Sequence, residues 1–332
     1  MIKTRILATV VTVLAMAVGA QADTILSYTN LVTVGDPGNA KDTHGDGYGA
    51  VAYVYQISKY EVTAGEYAAF LNLAAKSDPN GLYNTNMNSL SHGCQITRTG
   101  SSGSYTYDFS GRPSGAESDW VNRPVNYVSW YDAARYCNWL TTSNTESGVY
   151  NTSTWAIDRG YRNAQGLAYF IPTEDEWYKA AYYKGGGTNT GYWDYPTGSD
   201  TAPTSEAPPG GANSANYYGS GWAVDPPYYR NEVGAYTGSD SPYGTFDQGG
   251  NVWEWNETLI GGSRGVRGGS FSFSDGTLRA AGRNGTGPAG EDYHVGFRVA
   301  SIPEPGSVAL LALGAGMAVA VRRRKRRQSR NG

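Results

Sequence analysis

The chain has 332 residues, 39% of them hydrophobic and 17% charged, enough for a sizeable core in one large domain or two. Its formal net charge is −3, but two of the 26 basic residues lie in the first 22 positions and seven lie after Pro303, where one of the 29 acids also sits. Positions 23–302 therefore carry 17 basic against 28 acidic groups, a net of −11, which disfavours binding to a nucleic-acid backbone and suits a soluble surface protein or a binder of cations. Two cysteines, Cys94 and Cys137, cannot make a disulfide scaffold, and spacing leaves open whether they pair.

The first segment is read as a signal peptide, residues 1–22. Lys3 and Arg5 supply the positive region, Ile6 to Ala20 is almost wholly apolar, and Ala20-Gln21-Ala22 gives the small-x-small cleavage pattern, so Asp23 is the expected mature start. The body, 23–302, holds most of the 45 glycines, 27 tyrosines and nine tryptophans, a composition of short strands and long loops in which aromatic rings supply buried area. Residues 24–62 read as extended segments around a Gly/Asp-rich loop. Within that loop Asp42-Thr43-His44-Gly45-Asp46-Gly47 looks like a calcium loop but lacks the closing bidentate acid, so an ordinary turn is expected. A strand is predicted over Val51–Tyr60, with Ala52, Val54 and Gln56 sharing one side.

Three helices are announced by capping boxes. Thr63-x-x-Glu66 precedes an apolar face of Tyr67, Phe70, Leu71 and Ala74. Ser129-x-x-Asp132 precedes Ala133, Tyr136, Cys137 and Leu140, and Thr173-x-x-Glu176 precedes Trp177, Ala180 and Ala181. In that pattern Asp132 and Glu176 are structural acids rather than catalytic ones. From Lys184 to Tyr229 the chain is dominated by Gly, Pro, Asn, Thr and Tyr and reads as long ordered loops, which need support other than a sheet ladder; a bound metal ion is one such support. Tyr192-Trp193-Asp194-Tyr195 offers aromatics that could stack on sugar rings. His44, His92 and His294 have no ligand-cluster spacing, and no Gly-x-Ser-x-Gly elbow, Cys–His arrangement or phosphate loop occurs. Glu291, Asp292 and His294 form an isolated polar loop.

Pro303-Glu304-Pro305 opens the last segment, 303–327. An apolar run of about 15 residues, Val308 to Val321, falls short of the ~20 of a comfortable bilayer span, and Arg322-Arg323-Arg324-Lys325-Arg326-Arg327 follows it. By the positive-inside rule the basic end stays cytoplasmic and the body lies outside. This order resembles the PEP-CTERM sorting signal. The resemblance implies a sorting peptidase of the inner membrane as partner, inner-membrane anchoring before processing, and then an outer-surface or extracellular location.

The body resembles a second family. Tyr60-Glu61-Val62-Thr63, Arg123-Pro124-Val125-Asn126-Tyr127-Val128-Ser129-Trp130, Ile171-Pro172-Thr173-Glu174-Asp175-Glu176-Trp177, Gly249-Gly250-Asn251-Val252-Trp253-Glu254-Trp255, Arg267-Gly268-Gly269-Ser270 and Gly296-Phe297-Arg298 occur in that order. Together they resemble the formylglycine-generating enzyme, or sulfatase-modifying factor, family. The resemblance implies one irregular, loop-rich α+β domain related to C-type lectins. It also implies an oxidase that converts a sulfatase cysteine to formylglycine with copper held by two cysteines a few residues after Arg-Gly-Gly-Ser. Here Phe273 and Leu278 stand at those two places. Copper(I) needs soft thiolates, which neither side chain supplies, so copper and cysteine oxidation are not expected and no catalytic residue is assigned.

The resemblance further implies structural calcium: carboxylates of Asp247 and Glu254 with carbonyls of Gly250 and Val252 at one site, and Asn216 with the Tyr217 carbonyl at a second, whose acidic partner is open, Asp225 being one option. The expected function is a non-catalytic binding or structural module, for an extracellular glycan or matrix component; the alternative is an enzyme of the family with altered chemistry.

Overall fold

The computed structural model describes residues 30–45, 47–113 and 115–302; the signal-peptide and sorting-segment readings fall outside them. Local chemistry sets the helices. Thr63 Oγ1 accepts from the Glu66 N–H while Glu66 Oε2 accepts from the Thr63 N–H at 2.7 Å, and this box opens α1 (Ala64–Ala74). After the short α2 (Ser118–Val121), the Ser129–Asp132 box opens α3 (Trp130–Thr142) and the Thr173–Glu176 box opens α4 (Glu174–Tyr182). The predicted inward residues are buried in all three helices except Ala74, which is half-buried because α1 is ending there.

The strands are short. β1 (Leu31–Val34), β2 (Tyr55–Ser58), β5 (Tyr169–Phe170) and β12 (Ala300–Ser301) form an antiparallel sheet in the order β1-β2-β12-β5. β10 (Asn284–Thr286), β9 (Ser263–Arg267), β8 (Trp253–Ile260) and β11 (Val295–Gly296) form the second sheet in that order, with β8 and β11 parallel. β3 (Thr97–Thr99) pairs with β4 (Thr106–Asp108), and β6 (Thr204–Ser205) pairs with β7 (Ser214–Ala215). The strand predicted over 51–60 is thus only four residues of ladder. Tyr55 and Ile57 turn into the core, whereas Ala52 is exposed and Val54 and Gln56 are half-buried.

The helices and the first sheet enclose an aromatic core. Phe70 lies 5.1 Å from Tyr136 and Tyr136 lies 5.3 Å from Phe297, ring centre to ring centre and edge to face. Trp120, Trp130, Trp177 and Trp255 are fully buried; burial of each large apolar side chain stabilises by about 2–3 kcal/mol. Cys94 and Cys137 are both buried and free, so they pack as small apolar groups. In the loop after β1 the Asp42 carboxylate accepts from the Thr43 N–H at 2.6 Å and from the Tyr178 hydroxyl at 2.6 Å.

Candidate functional site

The Gly249–Trp255 motif forms the turn into β8 and brings the second sheet against the long loops. Gly250 has φ +89°, and a Cβ there would stand 2.2 Å from the Asn216 carbonyl oxygen, so glycine is required both for conformation and for approach. Asn251 follows at φ +58°, a left-handed position that Asn tolerates, and the turn aims its amide inward. Asn251 Nδ2 donates to Glu61 Oε1 at 3.0 Å, and its Oδ1 accepts from the Asn231 N–H and from Asn216 Nδ2. One amide thereby ties β2's exit to two loop segments.

Beside it, Glu254 is fully buried and paired with Arg298. The guanidinium reaches Glu254 at 2.5 and 2.7 Å, and the Trp177 indole N–H donates to the same carboxylate at 2.7 Å. Arg298 also donates to the Ser58 and Phe246 carbonyls. Asp247 accepts from the Gly234 N–H at 2.6 Å and from Asn231 Nδ2 at 3.0 Å. Desolvation and the nearby Asp247 and Glu254 carboxylates push Glu61 well above the usual range, and desolvation pushes Asp247 up to about 6.

Of the six residues assigned to two calcium sites, Asn216 packs on Gly250 and is linked through Asn251 and Asn231 to Asp247; the surroundings of the six differ. Val252 is buried, and the Tyr217 carbonyl accepts from Ser205 Oγ at 2.6 Å. The Asp247 and Glu254 carboxylates are engaged by protein N–H donors, so a cation there would have to share them. Asn216 Oδ1 is different: it is buried without a hydrogen-bond partner, as are Asn231 Oδ1 and Glu61 Oε2. Orphaned hard oxygens next to excess buried carboxylate charge are the donor chemistry of calcium. Asp225 is exposed. Among the described residues, no group of three or more His, Cys, Asp or Glu side chains is placed as a ready-made metal centre.

At the first of the two places where the resemblance would put copper ligands, Phe273 packs edge-on against Trp253 at 5.7 Å and against His294 at 5.2 Å. The 3₁₀ turn Asp275–Thr277 then separates it from Leu278, which is fully buried among Tyr195, Ala215 and Tyr217. Neither position presents a ligand atom.

Two other sequence expectations change. The Tyr192–Tyr195 stretch is not a free aromatic platform: Tyr192 and Tyr195 are buried, Trp193 lies under the Lys184 ammonium, and Asp194 meets His44 at 3.1 Å. The Glu291–His294 loop is not isolated, since Asn84 donates to Glu291 at 2.6 Å and the Tyr127 N–H donates to the Asp292 carbonyl at 3.0 Å. Among the described residues the exposed aromatics are instead Tyr53, Tyr218 and Trp222, and the rings of the last two meet at 4.7 Å beside a groove of about 510 Å³. Their only signal in the sequence is a Tyr-Tyr-Gly-Ser-Gly-Trp run within a tract already full of tyrosine and glycine.

The family described as "Sulfatase-modifying factor enzyme 1-like domain" matches residues 43–302, and the "PEP-CTERM protein-sorting motif" matches residues 301–326. A formylglycine-generating enzyme of Thermomonospora curvata is 28% identical over 222 residues, covering 58% of this chain and 59% of that protein. The chain thus spans less than two thirds of that relative's length. Among solved structures, Treponema denticola variable protein 1 matches at 21% identity with TM-score 0.48, over 82% of this chain and 95% of that one. PvdO from Pseudomonas aeruginosa matches at 20% identity with TM-score 0.46, over 82% and 91%. The chain belongs to the sulfatase-modifying factor enzyme 1-like family and carries a PEP-CTERM sorting motif.

Proposed function

We propose that the body is a non-catalytic binding or structural module, exported and delivered to the outer surface, with calcium supporting its loops. The observation that carries this reading is the pair Phe273 and Leu278: an aryl and an alkyl group, both packed into the fold, stand where the family's oxidase chemistry needs thiolates. The sorting motif supports a membrane sorting system as partner and a location outside the inner membrane.

Calcium would draw on Asn216, the Tyr217 carbonyl, Asp247, Glu254 and the Gly250 and Val252 carbonyls, and would supply counter-charge to the buried acids and cross-link loops that lack ladders. Chelation should then lower the thermal midpoint of the intact protein, and calcium should restore it. The functional reading is tested by offering copper and a cysteine-containing sulfatase peptide. No stoichiometric copper uptake and no aldehyde product are expected; turnover would overturn it. Removing residues from Pro303 onward should abolish surface retention, and unchanged retention would remove the sorting role.

A further inference from the structure

The groove beside Tyr218 and Trp222 has the features of a built site. Its wall is β6 and the segment after β7, held by Ser205 Oγ donating to the Tyr217 carbonyl and Tyr217 Oη donating to the Pro203 carbonyl at 2.8 Å. Its far side is the Phe273 segment, whose carbonyl accepts the Tyr218 N–H at 2.9 Å. Gly219 brings the turn so close that a Cβ would stand 2.8 Å from Ser205 Cβ. The groove is therefore fixed before any ligand arrives, which reduces the entropy cost of binding. At about 510 Å³ it falls within the roughly 300–1,000 Å³ of small-ligand sites.

The lining is selective. Of the nine tryptophans, Trp222 is the most exposed, at 37%, and Tyr218 is 44% exposed next to it. Tyr229 meets the Trp222 ring at 5.1 Å and Phe271 meets it at 5.9 Å, so the indole is held in place although its face is wet. Two rigid exposed rings side by side mark a contact surface rather than leftover core. The rest of the lining is hydroxyl and backbone from Thr204, Ser205, Ser220 and Ser274, and the one charged side chain is Asp275.

We infer that this groove binds a neutral oligosaccharide. This rests on the non-catalytic binding reading above and names its site and ligand class. A pyranose presents a face of C–H bonds carrying slight positive charge, which suits the negative face of an indole or phenol. Its edge presents neighbouring hydroxyls, which suit one carboxylate and a row of hydroxyl and peptide groups. No basic side chain lines the groove and the body is acidic, so uronic, sulfated and phosphorylated chains are disfavoured. A basic peptide would gain cation–π contact but would meet a single carboxylate and otherwise uncharged walls.

The test titrates the intact exported protein with cellotriose, maltotriose, N-acetylchitotriose and lactose, followed by tryptophan fluorescence and calorimetry, with a hexuronic acid trimer and an Arg-rich peptide alongside. At least one neutral sugar should bind. Trp222→Ala and Tyr218→Ala should each weaken it by about tenfold or more, while Trp222→Phe keeps most of it. Both positions are exposed, so thermal midpoints should stay near wild type and separate binding from folding. No neutral sugar bound, sugar binding indifferent to Trp222→Ala, or Trp222-dependent capture of the peptide alone would each overturn the inference. None of these outcomes bears on the absent oxidase chemistry, which stands or falls on copper uptake and aldehyde formation.

Discussion

Two parts of the molecule solve the same problem differently. The first, made of the two four-stranded sheets with α1, α3 and α4, satisfies its backbone through ladders and helical turns and buries aromatic and aliphatic side chains behind them. The second, residues 184–250, has only the two-residue pair β6–β7 as sheet. Here polar side chains take over: half-buried Asn213 donates through Nδ2 to the Thr201 carbonyl, and buried Asn216 donates to the Tyr229 carbonyl and buried Arg230 to the His92 and Gly93 carbonyls. A loop can be as fixed as a strand when amide and guanidinium groups serve as its hydrogen-bond partners. The difference is that each such anchor acts alone, so a single substitution removes it.

The largest test of this contrast is the residue that joins the two parts. Arg298 reaches Ser58 on one side and Phe246 on the other while neutralising Glu254. Arg298→Leu leaves a buried carboxylate without its partner and should cost about 4 kcal/mol in denaturant unfolding. If the parts are one cooperative unit the transition stays single; a two-step curve would show that they unfold separately.

Within the ladder-built part, Glu66 carries a pH dependence. Burial raises its carboxyl from 4.5 to about 7, so the folded state holds that proton more tightly than the unfolded chain. The stabilisation is present at low pH and is lost as pH rises from 4.5 through 7, a fall of about 3 kcal/mol. Glu66→Gln keeps the capping geometry without the charge, and its stability relative to wild type should climb by that amount over the same interval. A constant difference from pH 4 to 8 would refute this account.

In the loop-built part, Asn251→Ala removes the hub shared by Glu61, Asn216 and Asn231. It should cost about 2 kcal/mol, and proteolysis should find new sites within 184–250 before it finds any in the helices. Uniform protection would mean that the loops have other support. The smallest effect belongs to Thr173→Ala, which deletes the α4 cap for about 1 kcal/mol and leaves the loop tract's hydrogen exchange unchanged.

How much of this was legible follows from the range of each interaction. The capping boxes were readable because their partners lie three residues apart. The absence of thiols at 273 and 278 was equally plain. Strand extent was less so: Val51–Tyr60 alternates like a long strand, yet only 55–58 finds partners, one of them β12 from the far end of the chain. Tyr192–Tyr195 and Tyr218–Trp222 are alike in composition. One is buried by Ala40, Lys184 and the α4 face and the other is left at a groove, a distinction that rests on contacts across tens of residues.

The sequence by itself determined the starts of α1, α3 and α4, the family of the body, the sorting motif and the lack of thiols at 273 and 278, since each depends on residue type at fixed short spacing. Only the tertiary structure decided that Glu254 faces Arg298 and Trp177, that three buried oxygens around Asn251 lack partners, and which aromatic pair remains exposed. Those outcomes depend on groups brought together across 40 to 190 residues, such as Glu254 with Arg298 and Glu61 with Asn251, and no local pattern encodes them.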